Sequence, residues 1–204
     1  MLMISVAILA GGLSSRFGSN KALTPIDGQP IIERVMAAVH GLSDDLYLVT
    51  NTPELYQHLG LRMVADILPD GGALRGLHTA LSSADRPWVL CLACDMPFVQ
   101  PALLKHVLAL TQTAEWGAVV PRHPGGAEPF CAAYRREVCL PEIEPLLANR
   151  RYRLQGLLDR VPVRYIEPPE LNDFDAELLS FINVNTPDEW TAAEALARRL
   201  GGNA

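Results

Sequence analysis

Strand-like and helix-like segments alternate along the first half of the chain, and this alternation limits the folds that the chain can adopt. Short apolar runs typical of buried strands lie at residues 3–9, 45–50, 61–65 and 88–93. Segments with helical character lie at residues 30–42, 53–59, 74–84 and 101–111. Because parallel strands need a crossover between them, usually a helix, the pattern predicts a mostly parallel sheet covered on both faces. We expect a Rossmann-like, three-layer α/β/α fold.

After residue 111 the pattern is less regular. Strands are predicted at residues 116–121, 129–134, 161–167 and 180–185, and helices at residues 138–147, 154–158 and 187–200. Thr186 is placed to cap the last helix, with Glu189 at the position that completes a capping box. No linker, repeat or low-complexity segment interrupts the sequence, so we expect one domain over residues 1–204.

Composition and charge argue against several classes of protein. The chain has 204 residues, of which 49% are hydrophobic, and a formal net charge of −6. This hydrophobic fraction supports a buried core, and the negative charge argues against a nucleic-acid-binding face. No apolar run approaches the ~20 residues of a membrane span, and no signal-peptide pattern begins the sequence. We expect a soluble, cytoplasmic protein with neither nucleic acid nor a membrane as partner.

The spacing of Cys91 and Cys94 matches the C-x-x-C pattern of some metal and redox sites. The pair lies in the apolar run "PWVLCLACDMP", which predicts a buried strand. Residues three apart on a strand point to opposite faces, so the two sulfur atoms cannot meet. We therefore expect buried thiols here, and no second cysteine pair has the spacing of a zinc site.

The stretch "LAGGLSSRFGSNK", residues 9–21, directly follows the first predicted strand. Glycines allow a backbone to turn tightly and to approach a ligand closely, and the carboxyl ends of strands are where open α/β sheets bind ligands. Backbone N–H groups and two basic side chains here predict a triphosphate cradle. Its candidate residues are Leu9, Ala10, Gly11, Gly12, Arg16 and Lys21. The spacing fits neither the P-loop nor the dinucleotide fingerprint, and an ordinary glycine-rich surface loop is the alternative.

Asp95, in "CDMPFV", ends the most apolar of the predicted strands. A carboxylate is costly inside a core but well placed at the ligand-binding edge of a sheet. Carboxylate oxygen suits Mg²⁺, which is often held by one or two carboxylates together with substrate phosphates. The sequence thus predicts a metal-binding Asp95, with a helix-capping aspartate before Pro97 as the alternative.

Together these two stretches resemble the molybdenum cofactor guanylyltransferases, a branch of the wider nucleotidyltransferase superfamily. "LAGGLSSRFGSNKAL" is similar to the family's first loop, and "CLACDMPFV" to its C-D-x-P segment. Three further segments are similar to family segments in the same order: "DLYLVTN", "LRMVADILPDGGALRGLHTAL" and "FINVNTPDEW". The resemblance runs from Val6 to Trp190, and the ordered set of five segments is more specific than the first loop alone.

The resemblance implies transfer of GMP from GTP to molybdenum-bearing molybdopterin, which gives molybdopterin guanine dinucleotide and pyrophosphate. Catalysis would fall to Lys21, Arg16 and Asp95, with Mg²⁺ as the cofactor on Asp95. The N-terminal half would bind GTP and the C-terminal half mainly molybdopterin. Proteins of molybdenum cofactor synthesis or insertion are the implied protein partners.

Asn51 and Asp66 follow the second and third predicted strands. By the resemblance, both contact the nucleoside. An acidic group there accepts either N1–H and N2–H of guanine or the ribose hydroxyls. A turn residue and a cap are the alternatives for the two positions.

Asn183 and Asn185 flank Val184 in the predicted strand at residues 180–185. Alternation puts the two amides on one side of the strand, where they would serve the pterin phosphate. The alternative is that Asn185 caps the last helix and Asn183 closes a turn.

Arg150, Arg151 and Arg153, in "NRRYR", form a second candidate group on the pterin side. Guanidinium groups bind phosphate in a bidentate manner, so we expect a rim for the anionic pterin substrate. A solvated helix start is the alternative, because charge runs commonly lie on solvated faces.

Two segments depart from the family pattern. The family's G-P-L-A-G is here "GALRG", with Ala73 for proline and Arg75 for alanine, and Glu128 stands where histidine is common. A CTP-dependent cytidylyltransferase is the nearest alternative in function, and a non-catalytic nucleotide-binding adaptor is another. Gly12 and Gly76 favour guanine over cytosine, and Lys21 with Asp95 favours an enzyme over an adaptor.

Overall fold

An eight-stranded sheet forms the centre of the molecule, beside a separate two-stranded hairpin. The computed structural model describes residues 3–11, 20–69, 72–113 and 115–201. The strands are β1 (Ile4–Leu9), β2 (Pro25–Ile26), β3 (Gln29–Pro30), β4 (Asp45–Val49), β5 (Arg62–Val64), β6 (Trp88–Ala93), β7 (Ala118–His123), β8 (Gly126–Ala127), β9 (Cys131–Arg135) and β10 (Val163–Ile166). The helices are α1 (Ile31–Val39), α2 (Gly72–Ser83), α3 (Pro101–Leu110), α4 (Arg136–Ala148), α5 (Gln155–Leu158) and α6 (Pro187–Gly201).

The strand order in the sheet is β10-β7-β9-β6-β1-β4-β5, with β8 paired to β7. Strands β6, β1, β4 and β5 run parallel to one another. Strand β9 is antiparallel to both of its neighbours, β6 and β7, whereas β10 is parallel to β7. The mostly parallel sheet predicted from the sequence is therefore confirmed, with the antiparallel part confined to the second half of the chain.

Helices cover both faces of the sheet, which confirms the three-layer arrangement. Alternation along β1 divides the core: Ile8 packs on one face with residues of α1 and α3, and Ala7 packs on the other with residues of α2 and α4. Full burial of one large aliphatic side chain contributes about 1.5–3 kcal/mol, so these two clusters supply much of the stability. A third cluster joins α6 to the β2–β3 hairpin, where Ile26 and Ala193 are buried.

The cysteines behave as the sequence predicts. Cys91 packs on the α2 face and Cys94 on the α1 face, and both are buried thiols without a disulfide. Burial raises the pKa of the Cys94 thiol to about 12, so it is neutral at physiological pH. Within the described ranges, no three His, Cys, Asp or Glu side chains are grouped closely enough to hold a metal ion by themselves.

Two predicted elements differ in the structure. Residues 53–59 form two consecutive 3-10 turns instead of one helix. The strand predicted at residues 180–185 is wrong: the chain makes a 3-10 turn, Leu179–Phe181, and then an irregular segment. The carboxylate of Asp175 accepts hydrogen bonds from the backbone N–H groups of Leu179 and Ser180, at 2.8 and 2.9 Å. These donors are therefore satisfied by a side chain instead of a neighbouring strand.

The last helix begins as predicted. The hydroxyl of Thr186 accepts a hydrogen bond from Glu189 N at 3.3 Å, and the Glu189 carboxylate accepts one from Thr186 N at 2.9 Å. This reciprocal pair is a capping box, which satisfies N–H groups that the first helical turn leaves without partners. In the part of the chain that the structure describes, no helix is long and apolar enough to cross a membrane.

Candidate active site

A cleft of about 900 Å³ opens at the carboxyl ends of β1, β4 and β6. The strand register sets this position, because Leu9 at the end of β1 lies opposite Val49 of β4 and Ala93 of β6. The residues that follow these strands therefore meet at one edge of the sheet. The predicted site residues that line the cleft are Leu9, Ala10, Gly11, Lys21, Asn51, Asp66, Asp95 and Asn185.

One backbone N–H group of the predicted phosphate cradle is already used within the sheet. Ala10 N donates to Val49 O at 2.9 Å, so this N–H group extends the sheet, contrary to the prediction. The parallel ladder continues one residue past β1, which uses the donor before the loop begins. Gly12 and Arg16, the other predicted members of the loop, lie outside the described residues.

Lys21, Asp95 and Asn185 meet in the cleft although they are far apart in sequence. Lys21 Nζ lies 2.6 Å from Asp95 Oδ2 and 2.6 Å from Asn185 Oδ1. Asp95 is the second residue after β6, and its carbonyl oxygen accepts a hydrogen bond from Val184 N at 3.0 Å. This backbone bond holds the irregular segment before α6 against the end of β6, which explains how Asn185 reaches the cleft without a strand.

Asn20 and Tyr56 fix the segment that carries Lys21. The side chain of Asn20 accepts a hydrogen bond from Ala22 N at 3.1 Å and so caps the 3-10 turn Lys21–Leu23. The Asn20 amide also donates to the Tyr56 hydroxyl at 2.8 Å. Burial raises the pKa of Tyr56 to about 12, so this phenol stays neutral and hydrogen-bonded. Neither residue was predicted from the sequence: the capping preference of asparagine is a signal for Asn20, and no local pattern points to Tyr56.

A second polar cluster lies at the carboxyl ends of β4 and β5. Asn51 Nδ2 donates to Asp66 Oδ2 at 2.8 Å, and Asp66 N donates to Asn51 Oδ1 at 2.9 Å. Arg75, in the first turn of α2, lies with Nη2 3.1 Å from the same carboxylate oxygen. The side chain of Asp66 is only 5% exposed, and the Arg75 guanidinium beside it compensates its negative charge. The structure thus brings Asn51 and Asp66 together, as the sequence leads one to expect of neighbouring strand ends.

Glycine at position 76 permits the close packing of α2 under the cleft. A Cβ atom built on Gly76 would lie 2.8 Å from the Leu9 side chain, closer than real side chains approach. A larger residue here would push the terminal methyl group of Leu9 aside, so glycine lets α2 pack against the end of β1 with Leu9 in its present position.

Four predicted residues do not line the cleft. Arg150, Arg151 and Arg153 are exposed in the segment after α4, and Asn183 is half-buried. The prediction that Asn183 and Asn185 share one side of a strand is wrong, because the chain forms no strand there. The alternative of Asn185 as the helix cap is also wrong, since Thr186 and Glu189 form the cap and the Asn185 side chain binds Lys21.

The chain is similar to known nucleotidyltransferases. A model of the MobA-like NTP transferase domain matches residues 6–163. The molybdenum cofactor guanylyltransferase of Desulfosudis oleivorans is 38% identical, over 92% of this chain and 93% of the relative. The probable molybdenum cofactor guanylyltransferase of Pelotomaculum thermopropionicum is 32% identical, over 97% and 95% of the two chains.

A solved structure agrees with these relatives. Molybdopterin-guanine dinucleotide biosynthesis protein A from Archaeoglobus fulgidus superposes with a TM-score of 0.82 at 29% identity, over 96% of this chain and 99% of that chain. The cleft of the present structure lies at the sheet edge where α/β proteins bind ligands, and it contains the conjunction of lysine, carboxylate and amide groups described above. The chain is therefore a nucleotidyltransferase that belongs to the MobA-like NTP transferase family, among the molybdenum cofactor guanylyltransferases.

Proposed function

We propose that the protein transfers GMP from GTP to molybdenum-bearing molybdopterin, with release of pyrophosphate. The observation that carries this proposal is the convergence of Lys21, Asp95 and Asn185 within 2.6 Å contacts in the cleft. One cation, one anion and one neutral amide at a single point form a suitable binding site for phosphate groups and their metal ion. The names of the relatives point to the same reaction.

The donor set in the cleft fits Mg²⁺. Asp95 Oδ2 and Asn185 Oδ1 are oxygen ligands of the kind that Mg²⁺ prefers, and both already face one positive charge, the Lys21 ammonium. Asp95 would hold the ion, which when bound would neutralise charge on the phosphates and on the departing pyrophosphate. A site with one carboxylate suits an ion that completes its coordination with substrate phosphates and water.

The chemistry needs no dedicated general base. The second pKa of a phosphate monoester is about 6, so the terminal phosphate of molybdopterin is largely ionised at neutral pH. One of its oxygens attacks the α-phosphorus of GTP and forms the new P–O bond. The bond from the α-phosphorus to the bridging oxygen breaks, and pyrophosphate leaves with that electron pair. Lys21 holds the phosphates and stabilises their charge as it shifts toward the leaving group.

The two halves of the cleft suggest a division of labour within one domain. The β1, β4 and β5 side, with Gly11, Asn51 and Asp66, would bind GTP, and the loop residues Gly12 and Arg16 would extend its phosphate contacts. The second half of the chain, through Asn185, would serve molybdopterin. Arg150 and Arg151, with Arg153 and Asn183, remain candidates for an outer rim that contacts the pterin substrate.

Nucleotide selection tests the proposal. Purified protein is given molybdenum-bearing molybdopterin and Mg²⁺ with GTP or with CTP, and the dinucleotide product is identified by mass. We expect guanine dinucleotide with GTP, equimolar pyrophosphate, and little product with CTP. Product with CTP and none with GTP would show a cytidylyltransferase instead. Binding of GTP with no dinucleotide in either reaction would show a nucleotide-binding adaptor.

A further inference from the structure

Arg75 enters the nucleoside side of the cleft through contacts at both ends of its guanidinium group. Nη2 lies 3.1 Å from Asp66 Oδ2, and Nη1 donates to the carbonyl oxygen of Pro69. The side chain is 23% exposed and lines the cleft.

The carboxylate of Asp66 has little capacity left for a ligand. Oδ2 accepts from both Asn51 Nδ2 and Arg75 Nη2, and each carboxylate oxygen has about two lone-pair directions. Oδ1 faces the buried hydroxyl of Thr79 at 3.4 Å. Direct acceptance of two N–H groups from guanine would require the cluster to give up these bonds. Asp66 is better suited to hold Arg75 and Asn51 in place.

The guanidinium of Arg75, in contrast, has donors to offer. Each terminal nitrogen carries two N–H groups, and one contact is made at each, to Pro69 and to Asp66. Nε is buried and has no partner within the described part of the chain. The group therefore gives up no bond at Nε if it turns toward a ligand, while Asp66 keeps its charge compensated.

We propose that Arg75 is a specificity-determining residue that donates hydrogen bonds to O6 and N7 of guanine, with Asp66 as the positioning residue behind it. The inference rests on GTP as the substrate. A planar guanidinium matches the two neighbouring acceptors of guanine, whereas adenine presents an amino donor in place of O6, and cytosine also carries an amino group at its corresponding edge. The arginine thus favours guanine over adenine and cytosine, because each of these would place an amino donor opposite an N–H donor of the guanidinium.

A thermodynamic cycle that combines substitution of Arg75 with removal of N7 from the nucleotide tests this contact. Dissociation constants are measured by calorimetry, with Mg²⁺, for GTP, 7-deaza-GTP and CTP. 7-Deaza-GTP lacks only the N7 acceptor. The proteins are the wild type, Arg75→Ala, Arg75→Lys and the control Arg62→Ala. Arg62 is also paired to an aspartate, Asp45, but at the opposite end of the strands. Thermal melting confirms that each variant is folded.

We expect the wild type to bind GTP about 5-fold more tightly than 7-deaza-GTP, as loss of one hydrogen bond predicts. Arg75→Ala weakens GTP binding roughly 5- to 150-fold and binds the two purine nucleotides equally. Arg75→Lys keeps the positive charge but loses the paired N–H donors of the guanidinium, so its affinity for GTP lies between those of the wild type and Arg75→Ala. Arg62→Ala keeps the wild-type ratio.

Two results would overturn the contact: an unchanged ratio of GTP to 7-deaza-GTP affinity in Arg75→Ala, or equal binding of both nucleotides by the wild type. A uniform loss for both purine nucleotides with the ratio kept would show that Arg75 only supports Asp66. If the wild type prefers CTP to GTP, the proposed function itself fails. The measurements therefore separate an error about Arg75 from an error about the substrate.

Discussion

Asp95 and Lys21 form a close ion pair whose contribution to stability is small. Their side chains are only 13% and 21% exposed, and for a pair so largely withdrawn from water the cost of desolvating two charges offsets most of their attraction. The capping turn of Asn20 and the backbone bond from Val184 to Asp95 nevertheless hold them in one place. The positions of Lys21 and Asp95 are thus well fixed although the pair adds little stability. We therefore attribute their placement to ligand binding.

Asp95→Asn separates these two roles. The substitution keeps the volume but removes the negative charge that would hold Mg²⁺. We expect a fold with nearly unchanged melting temperature and a loss of dinucleotide formation of about 100-fold or more. Steady-state rates at saturating Mg²⁺ measure the loss. Asp44→Asn is the matched control, because Asp44 is also ion-paired, to Arg86, but at the other end of β4. Activity within a few-fold of the wild type would remove Asp95 from the metal site.

Single residues at strand ends were predictable from the sequence, but their partners were not. Asn51, Asp66 and Asp95 each follow an apolar run, so their place at the sheet edge follows from the order of elements alone. Contacts such as Lys21 to Asn185 depend on how segments 164 residues apart come together, and no local pattern encodes that. The hydrogen bond of Tyr56 to Asn20 also joins distant segments, so no local pattern predicted it.

Among the secondary-structure elements, the segment before α6 is the one that the sequence pattern predicted wrongly as a strand. The alternation of Ile182 and Val184 with polar residues is typical of a strand. These apolar side chains instead pack into the small cluster beside α6. Asp175 supplies the hydrogen bonds that a strand neighbour would otherwise provide. The hydrogen bonds to the buried Asp175 carboxylate thus stabilise a turn where the periodicity predicted a strand.

The start of α6 offers a test that distinguishes a cap from a ligand. Thr186→Ala removes the capping hydroxyl and should cost about 1 kcal/mol of unfolding free energy, or about 2–4 °C in melting temperature, with turnover nearly unchanged. Asn185→Ala removes the amide that contacts Lys21 and should do the reverse: a small change in melting and a large loss of turnover. Both variants are compared by calorimetry and by rate per folded molecule. If Asn185→Ala melts early and turns over normally, Asn185 is structural.

At the scale of the whole molecule, the parallel half of the sheet was predictable and the antiparallel half was not. Strands β1, β4, β5 and β6 alternate with helices or, between β4 and β5, with 3-10 turns, and this alternation leaves few topologies open. Strand β9 lies between β6 and β7 and runs antiparallel to both. This insertion places the second half of the chain beside the cleft. A hairpin-like pair of strands can join either edge of a sheet, and the sequence does not choose between them.

In the proposed reaction, this topology brings two substrates together at one edge of the sheet. The proposed reaction joins a nucleotide to an acceptor at this edge and does not hydrolyse the nucleotide. The direct test is the fate of the α-phosphate of GTP, followed with α-³²P-GTP, Mg²⁺ and molybdenum-bearing molybdopterin. We expect the label to appear in a pterin dinucleotide, with unlabelled pyrophosphate released in equal amount. Label that ends in GMP or GDP, or that remains in GTP, would contradict it.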